Sequence, residues 1–175
     1  ADRVEWAEAN GRRVLERAYI NETGSWAQGV RRGGAIDGDK SWWIYAELDQ
    51  FAASVALTDS ATAQYLPQTY EYWFNYFIDR EYGEVWNGVA AATNQPIQQL
   101  PKAWAWKSAY HSLEHALVAY ITTRQLRGEP VTLFYAFASP PARELIRPYF
   151  FTGTVESIEA VAATPFWAVT FRDVR

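Results

Sequence analysis

Apolar residues recur every three or four positions in four segments of the chain, a spacing that places them on one face of a helix. This spacing predicts helices over residues 3–19, 41–57, 61–78 and 106–126. Asp39 or Ser41 is suited to cap the second helix, and Gly128 with Pro130 favours an end to the fourth. The third carries a dense row of aromatic side chains on one face.

Two long segments rich in glycine and other turn residues separate these helices. Residues 21–39 have the sequence NETGSWAQGVRRGGAIDGD, and residues 79–104 have the sequence DREYGEVWNGVAAATNQPIQQLPKAW. This composition is typical of loops, and we expect one short strand around Trp26.

The pattern changes after Pro130. Residues 131–137, 148–161 and 166–174 are rich in aromatic and β-branched residues that partly alternate with polar ones, which predicts two or three β-strands. We therefore predict a mainly α fold, with a helical segment at residues 1–128 and a β-rich C-terminal extension at residues 129–175.

The helical part contains an internal repeat. INETGSWAQGV followed by KSWWIYAELDQFAASVAL resembles DREYGEVWNGV followed by KAWAWKSAYHSLEHALVAY, and Glu47 and His111 each lie five residues after a tryptophan, Trp42 or Trp106. Repeats of two helices and a long loop are typical of stacked α-hairpins such as an α/α toroid. In that architecture helix starts gather at one end, so we expect these four residues in one cleft.

Composition narrows the classes of function. Aromatic residues make up 17% of the 175 residues, which suits stacking on sugar faces as well as filling a core. A net charge of −4 without a basic cluster argues against nucleic acid as a partner, and the lack of a long apolar run argues against a membrane span. The absence of cysteine excludes disulfides and thiolate chemistry, and is compatible with a cytoplasmic location.

Both histidines lie in the segment WKSAYHSLEH, residues 106–115. Histidine is the side chain whose ordinary pKa allows it both to take and to give a proton at neutral pH, so His111 is the candidate for proton transfer. His115 follows one helical turn later, and we expect it to orient a neighbour or to fill the core. The order His-Ser-Leu-Glu-His differs from the zinc-protease motif, and we expect no metal ion.

Carboxylates offer other interpretations. Glu47 lies in an apolar helix, where it is a candidate catalytic group, a hydrogen-bond partner for a sugar hydroxyl, or a residue favoured by the helix dipole. Asp79, Glu81 and Glu84 are candidate glycosidase acids, although their spacing does not pair them and a solvated loop is the simpler interpretation.

Three motifs together resemble the N-acylglucosamine 2-epimerase family, which includes mannose isomerases and cellobiose 2-epimerases. They are KSWWIYAE at residues 40–47, GEVW at residues 83–86 and WKSAYH at residues 106–111. The resemblance covers residues 3–126. It implies an (α/α)6 barrel in which two histidines exchange the proton at C2 of an open-chain sugar, with neither metal nor cofactor.

The resemblance also assigns residues. His111 corresponds to the second catalytic histidine, and the residues expected to bind substrate are Trp42, Trp43, Glu47, Trp106, Lys107, Tyr110 and Glu114. The family usually has arginine where this chain has Glu114, which reverses the charge. Its first catalytic histidine lies in a Gly-His-x-x-Glu motif that this sequence does not contain.

These departures predict a truncated or split member holding the last four helices of a barrel. Its uncovered helix faces should drive dimerisation or association with a missing N-terminal half. Three functions stay open: a sugar 2-epimerase or aldose–ketose isomerase, a non-catalytic carbohydrate-binding or scaffold domain, and an α/α-toroid glycoside hydrolase or lyase.

Overall fold

The computed structural model describes residues 3–175 and contains the four expected helical regions. Within the described residues the α-helices are α1 (Arg3–Ala18), α2 (Trp42–Ala56), α3 (Leu66–Tyr72) and α4 (Tyr110–Leu126). No described helix is both long and apolar enough to cross a membrane.

Helix α2 begins where predicted, but its cap differs from the expected one. Ser41 occupies the N-cap position in an extended conformation, and its side chain makes no capping hydrogen bond. The backbone N–H of Trp42 instead donates to the carbonyl oxygen of Asn87 at 3.0 Å. A backbone carbonyl of the second long loop, residues 79–104, therefore satisfies the first backbone N–H of this helix.

The third helical region is not one continuous α-helix. It consists of a 3-10 turn (Ser60–Tyr65), α3 and a π-helical turn (Trp73–Phe77). Pro67 has no backbone N–H, so it fits only the first turn of an α-helix, and α3 accordingly begins at Leu66. The prediction of a single helix over residues 61–78 was wrong in this respect.

Helix α4 begins four residues later than predicted. The backbones of Trp104 and Lys107 pair in both directions, at 3.3 and 3.0 Å, and this tight turn keeps Trp106 outside the helix. The hydroxyl of Ser108 accepts a hydrogen bond from the backbone N–H of Tyr110 at 3.3 Å, where the helix starts. Its end agrees with the prediction, because Gly128 follows with a φ of +68°.

Short antiparallel pairs connect the helices. They are β1 (Tyr19–Ile20) with β2 (Ser25–Trp26), β3 (Gly29–Val30) with β4 (Ile36–Asp37), and β5 (Lys40–Ser41) with β6 (Gly88–Val89). The internal repeat is partly visible in this backbone: Ile20 pairs with Ser25 in the β1–β2 pair, and Ile78 forms an isolated antiparallel bridge with Val85 across a longer turn. The short strand expected around Trp26 is β2.

The described chain divides into two compact units, the first ending at Leu117 and the second comprising Val118–Arg175. Large buried side chains of the first unit are Leu15, Trp26, Tyr45 and Phe77. The second contains an antiparallel sheet in the order β7 (Val131–Ala136), β9 (Phe166–Arg172), β8 (Thr154–Ala160). The predicted β-rich extension therefore has three strands, with Val131, Val169 and Phe171 buried.

Candidate functional site

The centre of the candidate site is a hydrogen bond between α2 and α4. The Nδ1 atom of His111 lies 2.8 Å from Oε1 of Glu47. A carboxylate oxygen accepts hydrogen bonds, so Nδ1 carries the proton and Nε2 is left as the basic nitrogen. Both side chains are accessible, with 29% of His111 and 47% of Glu47 exposed. The repeat thus brings together its two equivalent positions.

Three aromatic rings surround this imidazole. Their centroids lie 6.2 Å (Trp42), 6.1 Å (Trp43) and 5.0 Å (Tyr110) from that of His111. Trp43 and Tyr110 are exposed, whereas Trp42 is buried and its indole N–H has no hydrogen-bond partner among the described residues. A buried donor next to an accessible imidazole suits a ligand oxygen.

Lys107 is buried next to Trp42 and does not face solvent. Its side chain is fully buried, its Nζ lies 5.3 Å from the ring centroid of Trp42, and Oε1 of Glu84 lies 3.4 Å away. Burial of the ammonium lowers the pKa of Lys107, and the charge of Glu84 opposes that shift. The Lys107 ammonium therefore packs against the face of the Trp42 ring.

The remaining predicted residues lie in different environments. Trp106 is 81% exposed in the loop before α4 and makes no ring contact with the described aromatic residues. Glu114 accepts a hydrogen bond from the hydroxyl of Tyr110 at 3.1 Å. One ligand atom from each of Glu47, His111 and Glu114 lies within 4.8 Å of the others, a spacing that a divalent cation can bridge.

Sequence reasoning missed a second, buried pair of an imidazole and a carboxylate. His115 Nε2 lies 2.8 Å from Oδ2 of Asp49, and the indole N–H of Trp26 donates to Oδ1 of Asp49 at 2.7 Å. All three side chains are buried. The available signal was an aspartate two residues after Glu47 in an otherwise apolar helix.

An apolar groove of about 660 Å³ adjoins the site. Apolar side chains from α1, α2 and the β3–β4 hairpin line it, among them Val14, Val30, Ile36, Trp43 and Phe51. Trp43 and Glu47 belong both to this groove and to the surroundings of His111.

Comparison with solved structures confirms the resemblance that the motifs indicated. A cellobiose 2-epimerase from Spirochaeta thermophila DSM 6192 superposes with a TM-score of 0.61 at 23% identity, over 70% of this chain and 32% of that chain. A cellobiose 2-epimerase from Bacillus thermoamylovorans B4167 gives 0.59 at 22% identity, over 70% and 31%. A D-mannose isomerase gives 0.52 at 22% identity, over 62% and 28%.

The chain therefore spans about a third of the length of these enzymes and shares their fold over the superposed part. No protein-family model and no curated protein sequence matches it.

Proposed function

We propose that this chain carries a proton-transfer site of a sugar 2-epimerase or aldose–ketose isomerase, with His111 as the base. The hydrogen bond between His111 Nδ1 and Glu47 carries this proposal. It fixes one tautomer, so that Nε2 is free to accept a proton, and the carboxylate stabilises the imidazolium that results.

The reaction is removal of the proton at C2 of an open-chain sugar. His111 Nε2 takes that proton, and the electron pair of the C–H bond moves onto the adjacent carbonyl to give an enediolate. Return of a proton to C2 from the opposite face gives the epimer, and its return to C1 gives the ketose. Neither outcome changes the oxidation state of the substrate as a whole.

The surroundings of His111 offer groups that are suited to bind the sugar. The exposed rings of Trp43 and Tyr110 offer surfaces on which a sugar ring or chain packs. The N–H of Trp42 has no hydrogen-bond partner among the described residues but is buried, so it can donate to a substrate oxygen only if the indole ring moves. Glu114, next to Tyr110, is an acceptor for a sugar hydroxyl.

A single base reaches one face of C2, so inversion needs a second proton donor. The motif resemblance places that donor in a Gly-His-x-x-Glu segment that this sequence lacks. We propose that a polypeptide segment of different sequence, which carries this motif, completes the site. The chain alone should then exchange the C2 proton with solvent and epimerise poorly.

The test is incubation with a panel of aldoses, ketoses and N-acyl hexosamines in D2O, with deuterium at C2 followed by NMR. EDTA is present throughout, so that exchange cannot depend on a free metal ion. His111→Ala should lower the exchange rate by about a hundredfold or more. Glu159→Gln on strand β8, in the other compact unit, is the control for removal of a carboxylate outside the candidate site. Exchange that is equal in wild type and His111→Ala would disprove the proposed role of His111.

A carbohydrate-binding role without catalysis is the second candidate. The accessible rings of Trp43 and Tyr110 and the unpartnered N–H of Trp42 favour it equally well. It predicts sugar-dependent changes in tryptophan fluorescence, in wild type and His111→Ala alike, without deuterium exchange.

The hydrolase alternative receives less support from the geometry. The carboxylate of Asp79 is paired with Lys102 and accepts backbone hydrogen bonds from Glu81 and Tyr82. These contacts lower the pKa of Asp79, with the Lys102 hydrogen bond as the largest cause, whereas a glycosidase acid needs a raised pKa.

A further inference from the structure

Helices α2 and α4 are joined by two successive pairs of an imidazole and a carboxylate. Glu47 and His111 form the accessible pair, and Asp49 and His115 form the buried pair, in which 0% of the Asp49 side chain and 4% of the His115 side chain are exposed. His115 follows His111 by four residues and therefore lies one helical turn farther on the same face.

The buried pair is fixed from three directions. Oδ1 of Asp49 accepts from the indole N–H of Trp26 on β2, and Oδ2 accepts from Nε2 of His115 on α4. The ring of His115 packs against Tyr70 and Trp73, with centroid distances of 5.6 and 4.4 Å. Neither the carboxylate nor the imidazole can turn without breaking a buried hydrogen bond or a ring contact.

The accessible pair has ring contacts of His111 with Trp42, Trp43 and Tyr110, but both of its side chains are partly exposed. An exposed hydrogen bond holds two side chains together weakly, because water competes for both partners. The contact of 2.8 Å between His111 and Glu47 therefore requires that the two helices already be aligned. The buried pair supplies that alignment, since the loss of either partner would leave a polar group unsatisfied in the core.

We propose that His115 and Asp49 are positioning residues that set the register of α2 against α4 and thereby fix the tautomer of His111. The mechanistic consequence rests on the proposed function, in which the free Nε2 of His111 is the base. The positioning of His111 by the buried pair does not rest on the proposed function, because the tautomer of His111 can be measured without any substrate.

Nitrogen-15 NMR of histidine-labelled protein reads the tautomer directly, because Nδ1–H and unprotonated Nε2 have different chemical shifts. The chain contains two histidines, so in any variant of His115 the whole signal belongs to His111. We expect wild-type His111 to be held as the Nδ1–H form. A wild-type spectrum in which His111 averages between tautomers would overturn the proposal.

Three variants of His115 test whether its hydrogen bond to Asp49 holds His111 in one tautomer. His115→Gln places an amide N–H near the position of Nε2 and should keep the bond to Asp49, so His111 should stay in the Nδ1–H form. His115→Asn is too short to reach, and His115→Phe has no donor, so both should give averaged tautomers. If His115→Phe does not fold, the Gln and Asn variants decide, each measured below its own melting temperature.

Thr62→Val is the matched control for a general loss of stability. The Thr62 hydroxyl is a buried group that donates to the backbone oxygen of Asp59 at 2.8 Å and to that of Ala52 on α2 at 3.4 Å, and neither of these residues belongs to the α2–α4 pairs. Its removal should leave the His111 spectrum unchanged. A fixed tautomer in a folded His115→Asn variant, or a change in Thr62→Val equal to that in His115→Asn, would show that the buried pair has no positioning role.

Activity separates this proposal from the proposed function. If wild type exchanges deuterium at C2, His115→Asn should exchange at least about tenfold more slowly and His115→Gln should recover most of that loss. If wild type shows a fixed tautomer that His115→Asn loses, but no exchange, the positioning claim stands and the proposed function fails. Exchange at the wild-type rate in His115→Asn would overturn the positioning claim alone.

Discussion

Glu84 has a backbone conformation that glycine adopts more easily. Its φ is +67°, and the preceding Gly83 has a φ of +73°. The left-handed region is costly for a residue with a Cβ atom. The carboxylate of Glu84 offsets this cost, because Oε1 accepts from the backbone N–H of Val85 at 3.0 Å and faces the buried Lys107.

Two substitutions of Glu84 separate the backbone effect from the side-chain effect. Glu84→Ala and Glu84→Gly both remove the partner of Lys107, and we expect both to be less stable than wild type. Glu84→Gly should be the more stable of the two by about 1 kcal/mol, because glycine relieves the positive φ. Urea unfolding measures the difference.

The same pair of substitutions at Glu159 is the control, because strand β8 has an extended backbone in which glycine should be the less stable residue. If Glu84→Ala were as stable as Glu84→Gly, or more stable, that result would contradict backbone strain at Glu84.

At the scale of single residues, the sequence predicted that Glu47 and His111 lie close together. Repeat alignment found Glu47 and His111, because both occupy the same position after a tryptophan. The partner of His115 was missed, since a buried aspartate has no sequence signature apart from its spacing. Trp106 was assigned to a helix because the backbone pairing of Trp104 with Lys107 depends on the fold of the loop.

At the scale of elements, the hairpin from Ile78 to Val85 depends on one aspartate. Asp79 accepts hydrogen bonds from two backbone N–H groups of the turn and pairs with Lys102, whose Nζ also donates to the carbonyl of Gly83 at 3.0 Å. This network lowers the pKa of Asp79 below its ordinary value of 3.8.

The lowered pKa predicts how the stability contribution of Asp79 varies with pH. A carboxyl with a depressed pKa in the folded state stabilises the protein above its unfolded pKa, and that contribution is lost as the pH falls through the folded pKa. Asp79→Asn should therefore be less stable than wild type near neutral pH, and the difference should shrink below about pH 3.8. Urea unfolding across this range measures it.

Asp173→Asn, in the other compact unit, is the control for loss of a carboxylate. A difference between wild type and Asp79→Asn that stays constant down to the lowest pH would show that the charge of Asp79 does not stabilise the turn.

Element type was predictable from periodicity, whereas element ends depended on local chemistry. The end of α4 followed from Gly128, which the sequence shows directly. The start of α3 could also have been placed, because Pro67 fits only a first helical turn. The start of α2 was placed to within one residue, but its cap was not, since its first backbone N–H is satisfied by Asn87, a residue far away in the chain.

At the scale of the whole molecule, the sequence predicted a helical part and a β part, and the structure contains both. The closed (α/α)6 ring stays a prediction, because six helix pairs are needed for it and the described residues contain fewer. Helical periodicity shows which face of a helix is apolar. It does not show which neighbouring helix covers that face.

The apolar groove between α1, α2 and the β3–β4 hairpin predicts self-association of the isolated chain. Val14 and Val30 are 49% exposed there, and Ile36 and Trp43 are 44% exposed, so burial against a second copy removes apolar surface from water. In a purified sample a second copy is the available partner. Sedimentation velocity should show a mass that rises with concentration.

Charged substitutions locate the interface. Val30→Glu with Ile36→Glu places two negative charges in the groove on side chains that are already exposed, so the fold should survive while association weakens. Leu145→Glu alters an apolar side chain that is 82% exposed outside the groove, and it should leave association unchanged. A chain that is monomeric at every concentration would contradict the prediction. Equal association in the groove variant would instead assign the interface to another surface.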